Sequence, residues 1–184
     1  MTGRVERLSK KYALAMKWRA FPLHPETPEN GMTLEALFKG RMVDISGMMG
    51  RLRKAAEAEG LPFGDRNMTY NSRLAQELGK WAEAQGKIEA YNKEVFQAYF
   101  AHGRNVGSRN VLVEVAGSVD LDPNEARRVL EERSFKNAVD ADWDRSRQMG
   151  IKAVPTFVVD DRMLVGAQPY AALEEFVTSG KGRS

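Results

Sequence analysis

The chain has no cysteine among its 184 residues. Without a thiol it can form no disulfide, no thiolate nucleophile and no Cys-ligated zinc or iron–sulfur site, and its redox compartment cannot be read from cysteine usage. Histidine is nearly as scarce. Neither His24 nor His102 has a cysteine, a serine or a second histidine at motif spacing, so each reads as a loop or surface residue before it reads as a ligand. No catalytic residue, metal set or cofactor is therefore expected. No run approaches the ~18 apolar residues of a membrane span, and no opening stretch joins a basic region, an apolar segment and a small-residue cleavage site. The expectation is a cytoplasmic protein with no membrane partner. Charge of one sign is lacking too: 28 Lys and Arg face 25 Asp and Glu, for a net +3. These charges are mixed along the chain, no phosphate-binding patch emerges, and nucleic acid is not an expected partner. Gly-x-Ser-x-Gly, the P-loop, the dinucleotide fingerprint, internal repeats and low-complexity segments are all missing.

What is present suits a folded core. With 42% hydrophobic and 9% aromatic residues, a chain of this length reads as one domain able to bury roughly 70% of its unfolded surface. A short basic helix is expected over Thr2 to Tyr12. In Leu14 to Phe21 the residues Leu14, Met16, Trp18 and Ala20 alternate with Ala15, Lys17, Arg19 and Phe21, which predicts a strand centred on Met16 to Ala20, ended by Pro22, Pro25 and Pro28. After a proline-rich loop over Thr27 to Gly31, Thr33 can cap a short helix, and Arg41 to Glu59 continues helical until Gly60. Asn71 is placed to cap a helix carrying Leu74, Leu78, Trp81 and Gln85 at helical spacing and stopped by Gly86. Ile88, Tyr91, Val95, Tyr99 and Phe100 form the apolar stripe of the next, ended at Gly103. Ser108 opens a helix through Ala116. Asp122-Pro123-Asn124-Glu125 reads as an N-cap with proline in the first position and a capping-box Glu, and Phe135 to Met149 completes the helical block.

Several polar groups have plain readings. Asp160-Asp161 suits a hairpin turn better than a metal. Asp140 and Asp144 share a solvated helix face, and Arg51, Arg53 and Lys54 a solvated edge. Asn67-Met68-Thr69 matches a glycosylation sequon by chance.

The far end of the chain is the most distinctive. Gly150-Ile151-Lys152-Ala153-Val154-Pro155-Thr156-Phe157-Val158-Val159-Asp160-Asp161, then Leu164-Val165-Gly166-Ala167-Gln168-Pro169, describes a helix stop, a Val-Pro-Thr step, two short β-branched runs about a tight turn and a new helix start. This block resembles the closing half of a thioredoxin fold, as found in the DsbA family. Trp18 to Pro25, Asn71 to Ala75, Gly86-Lys87 and Phe96 to Phe100 fall in family order, and the resemblance spans nearly the whole chain. It implies an α/β, thioredoxin-like fold with a large all-helical insertion. The whole chain, 1–184, is then a single domain whose thioredoxin-like part is 1–25 and 150–184, with the insertion over about 33–149.

The resemblance also carries expectations about the site. It implies that Pro155 is cis and that Val154, Pro155 and Thr156 bind substrate, with the Val154 main chain placed to pair with a peptide; on its residue type alone Thr156 reads as a strand residue. Family members exchange disulfides through Cys-Pro-x-Cys after a first, central strand. Here Thr2 to Leu8 resembles the helix that follows that motif, so the expectation is a chain cut before the first helix, lacking the strand and both cysteines and inactive as it stands. Three functions remain open: a thiol–disulfide oxidoreductase, a relative of glutathione-dependent 2-hydroxychromene-2-carboxylate isomerase or kappa-class transferase, and a non-catalytic domain binding peptide or another subunit. The implied partners are protein or small thiol and disulfide substrates, and a homodimer through an open sheet edge.

Overall fold

The computed structural model describes residues 2–179. Helix α1 (Thr2–Tyr12) forms where expected and stops at Ala13, whose φ of 51° is left-handed. The strand expected over Met16 to Ala20 does not form, and no residue from Leu14 to Phe21 joins a sheet. Alternation specifies a strand only where a neighbour supplies ladder hydrogen bonds. In this segment the Ala20 N–H donates instead to the Asp142 Oδ2 atom at 2.9 Å.

Strand β1 (Met32–Thr33) pairs antiparallel with β2 (Met68–Thr69). The Thr33 hydroxyl then accepts from the Ala36 N–H and caps α2 (Leu34–Leu37). Helix α3 (Ile45–Ala58) starts later than Arg41 because Asp44, accepting from the Gly47 N–H, supplies the cap. Helix α4 (Arg73–Ala84) has Ser72 in the cap position, while Asn71 accepts from the Arg73 N–H and donates to the Thr27 carbonyl at 2.8 Å. Asn71 thus ties the start of α4 to the proline-rich loop. Helix α5 (Ile88–Phe96) widens into a π-helical turn over Gln97–Ala101. Next come α6 (Arg109–Ser118), α7 (Pro123–Glu132) and α8 (Lys136–Gln148). Asp122 accepts from the Asn124 N–H with Pro123 in the first turn, as the sequence predicts; the Glu125 carboxylate accepts from Arg128. Strands β3 (Thr156–Val159) and β4 (Arg162–Val165) form a hairpin, and α9 (Tyr170–Thr178) closes the described chain.

Contacts divide the chain into two units, one of residues 24–141 and one of the two chain ends, up to Leu23 and from Asp142 onward. In the helical unit, Leu78, Ala82, Leu112, Ala116 and Ala126 are fully shielded from water and Tyr91 and Leu130 nearly so. Each large side chain among them contributes about 1.5–3 kcal/mol relative to exposure. The Glu77 carboxylate, 1% exposed, is buried among them. It accepts from Arg73 Nε at 2.6 Å and, in a bidentate pair, from Arg133 Nε and Nη2 at 2.6 Å each. Arg73 reaches on to Asp140 Oδ1 at 2.7 Å and the Lys136 carbonyl at 2.9 Å. Burial pushes the Glu77 carboxyl up, but the hydrogen bonds from Arg133 and then Arg73 outweigh it and hold it below the usual range.

In the other unit α1 lies along α9. Val5, Leu8 and Leu173 are buried, the Arg7 guanidinium stacks 3.6 Å from the Tyr170 ring centre, and Lys11 Nζ meets Glu174 Oε1 at 2.7 Å. Arg4 donates to the Gln168 carbonyl at 2.8 Å, and buried Asp142 also accepts from Arg19 at 2.8 Å.

Candidate functional site

The site begins where α8 stops. Gly150 takes a φ of 67°, a conformation that costs a residue with a Cβ and suits glycine. The Ile151 N–H returns to the Ser146 carbonyl at 3.0 Å, which closes the helix end and releases the chain into Lys152 to Pro155. The Val154–Pro155 peptide is cis. Thr156 donates its hydroxyl to the Ala153 carbonyl at 2.6 Å, so its side chain is occupied locally, in line with its reading as a structural residue. Pro155 accepts from the Gly166 N–H at 2.8 Å, and Gln168 Nε2 donates to the Val165 carbonyl at 2.8 Å.

That Pro155–Gly166 bond fixes which way the β3 backbone faces. Antiparallel ladders alternate hydrogen-bonded and non-bonded pairs. With Val159 opposite Arg162 across the Asp160-Asp161 turn and Phe157 opposite Leu164, the odd-numbered residues of β3 spend their N–H and C=O groups on β4. Thr156 and Val158 direct theirs to the opposite side, and no described strand pairs there. The side chains follow the same alternation. Phe157, Val159, Arg162 and Leu164 are partly covered, while Val158, Met163 and Val165, opposite one another or Thr156 across the ladder, are 38%, 47% and 51% exposed. Val154 beside them is 44% exposed. The hairpin therefore presents an apolar face and, at Thr156 and Val158, outward main-chain donors and acceptors that pair with no strand among the described residues. Asp160 has a φ of 56°, the left-handed geometry that a two-residue turn demands and Asp tolerates.

The remaining polar residues singled out in the sequence are not drawn into this loop's hydrogen bonds. His24 has a φ of 69° and stands 3.7 Å from the Glu26 carboxylate; His102 is exposed, with its backbone N–H on the Gln97 carbonyl. Asp140 belongs to the Glu77 cluster and also receives Lys136 at 2.8 Å. Asp144 pairs with Arg147, and Arg53 with Asp65. The Asn67 carbonyl accepts from the Leu34 N–H at 2.8 Å. Among the described residues no three His, Asp or Glu side chains converge as a metal site would need, and no helix is long and apolar enough to cross a membrane. The Glu77 cluster and the direction of the β3 edge escape sequence reasoning, since both depend on partners far apart along the chain. What the arrangement offers chemically is a short strand edge with the N–H and C=O groups of Thr156 and Val158 turned outward beside exposed apolar side chains.

The model of the DSBA-like thioredoxin domain matches residues 1–178. This chain belongs to that family. The uncharacterized protein YwbO of Bacillus subtilis (strain 168) is 24% identical over 179 residues, which is 94% of this chain and 86% of YwbO. Among solved structures, a "probable DsbA oxidoreductase" from Streptomyces coelicolor superposes with a TM-score of 0.90 at 25% identity, covering 100% of this chain and 83% of that one. A 2-hydroxychromene-2-carboxylate isomerase follows at TM-score 0.74 and 18% identity, covering 97% of this chain and 85% of that one. The thioredoxin-like DsbA fold read from the Val154-Pro155-Thr156 block is thus the fold of this DsbA-family chain.

Proposed function

We propose that this DsbA-family chain supplies the polypeptide-binding half of thiol–disulfide exchange, holding an extended protein or small-thiol substrate at Val154, Pro155 and Thr156. The observation that carries this reading is the β3 edge. Thr156 and Val158 turn main-chain groups outward beside the exposed Val154 and Val158 side chains, an arrangement suited to adding one more strand, with backbone bonds giving affinity and side-chain contacts selecting apolar sequence. Exchange itself requires a thiolate, and these 184 residues include none. Binding without exchange is the activity this polypeptide can perform. The isomerase alternative rests on fold alone, and no residue here favours it.

The test is a binding titration of a labelled, cysteine-free extended peptide, run beside an insulin-reduction assay. The expected results are saturable binding, weakened by Val154→Lys, and no reduction above the uncatalysed rate. Binding indifferent to Val154→Lys, or turnover by the purified chain, would overturn the reading.

A further inference from the structure

The Pro155 loop has a support outside the hairpin, supplied by α1. We infer that Arg4 is a positioning residue for the peptide-binding site, acting through Gln168 and Gly166 on Pro155. This rests on the reading of Val154, Pro155 and Thr156 as the binding loop, and adds a residue far from that loop in the chain.

The connecting bonds are few. Pro155 has no N–H, so across the hairpin its main chain can be held only through its carbonyl, which accepts from the Gly166 N–H at 2.8 Å. Gly166 has a φ of 93°, in the left-handed region that suits glycine, the residue whose backbone is least restrained. Where Pro155 sits therefore depends on what restrains Gly166. Gln168 does so at two points. Its backbone N–H donates to the Gly166 carbonyl at 2.9 Å, and its Nε2 donates to the Val165 carbonyl at 2.8 Å. The Gln168 carbonyl in turn accepts from Arg4 Nη1 at 2.8 Å, a charge-assisted bond and so among the stronger kinds.

The placement of Arg4 on α1 separates its role from those of its neighbours. Arg4, Arg7 and Lys11 are spaced three and four apart and share one face of the helix. They meet Gln168, Tyr170 and Glu174 in the same order, while Val5 and Leu8 are buried in this unit, as is Leu173. Arg7 and Lys11 contact α9. Arg4 contacts the segment before it, where the hairpin hands the chain to that helix, so Arg7 serves as a control of the same charge and length.

The test joins the labelled-peptide titration to amide hydrogen exchange, on the full chain as wild type, Arg4→Ala, Arg4→Lys and Arg7→Ala. Arg4→Ala is expected to weaken peptide binding about three- to tenfold, because losing the bond lowers the fraction of chains with the loop in place. It also speeds exchange of the Gly166 N–H by a similar factor, while the Leu112 N–H, bonded to the Ser108 carbonyl in the helical unit, exchanges as in wild type. Arg4→Lys keeps the charge and a donor and recovers part of both losses. Arg7→Ala leaves binding and Gly166 exchange at their wild-type values. Arg4→Ala with either binding or Gly166 exchange unchanged overturns the inference. So does a loss that Arg7→Ala reproduces in full, or one accompanied by faster exchange at Leu112, since each marks a general loosening of the fold. A wild-type chain that binds no peptide refutes the binding reading instead. Faster Gly166 exchange in Arg4→Ala then still upholds Arg4 as the anchor of Pro155, and unchanged exchange refutes that as well.

Discussion

Replacing Glu77 by alanine should cost the helical unit about 3–4 kcal/mol. The partners left to Arg73 and Arg133 decide where in the usual range it falls. Removing one member of a buried ion pair typically costs about 3–5 kcal/mol, because the partner charge stays behind without compensation. Here two guanidiniums stay behind, but not equally stranded. Arg73 retains Asp140 and the Lys136 carbonyl, and Arg133, 36% exposed in its side chain, can regain water. The lower half of the usual range is therefore the better estimate. Glu77→Gln keeps the shape but turns an amide N–H₂ toward donors that have no use for it, and should fall between wild type and alanine. For a chain of this size the alanine variant should melt roughly 5–15 °C lower, read by thermal and urea denaturation followed by circular dichroism. The pH dependence adds a second signature. Because Glu77 is held below its usual pKa when folded, the unfolded chain binds the proton more readily. The stability it contributes is complete above the unfolded value of about 4.3 and is lost as pH falls through the lower folded value. The gap between wild type and Glu77→Gln should narrow on acidification. A Glu77→Ala loss under about 0.5 kcal/mol, the scale of an ordinary surface substitution, or a gap that does not change with pH, would refute the reasoning.

Two further outcomes follow from close contacts in the same unit. A Cβ added at Gly64 would lie 2.1 Å from the Ala101 carbonyl oxygen, which belongs to backbone and cannot swing away, so Gly64→Ala should destabilise by about 2–3 kcal/mol in urea unfolding. Tyr91→Phe removes a buried hydroxyl that donates to the Ala75 carbonyl at 3.0 Å and leaves the ring's packing in place; a loss of about 1 kcal/mol is expected by thermal melting.

Local chemistry was legible in the sequence and long-range pairing was not. Asp122-Pro123 announces the start of α7 because both the cap and the proline act within one turn, and Asp160-Asp161 announces the β3–β4 hairpin for the same reason. Leu14 to Phe21 shows the limit. Its alternation is real, but a strand exists only where a neighbour completes its ladder, and no described strand does. The two-residue β1–β2 contact joins Met32–Thr33 to Met68–Thr69 with no signal in either dipeptide. The late start of α3 reflects a choice among possible caps, settled by Asp44 rather than by the periodicity after it. Of the site, Val154-Pro155-Thr156 could be located from family order. The outward direction of Thr156 and Val158 could not, because it depends on a hydrogen bond from Gly166 ten residues beyond the strand's start. Glu77 looked like any polar position on a helix, since its strongest partner, Arg133, lies 56 residues away.

The unit that contains α1 and α9 is assembled from segments far apart in the chain, with α1 held to α9 through Arg7 and Tyr170 and through Lys11 and Glu174. During synthesis these partners are made at opposite times. At about 5–20 residues per second, α1 emerges roughly ten to thirty seconds before α9 exists, with its apolar Val5 and Leu8 still lacking Leu173. The helical unit is continuous from His24 to Ala141 and can complete its own core during that interval. The order of translation thus makes α1 a segment produced before the helical unit and among the last to find its place.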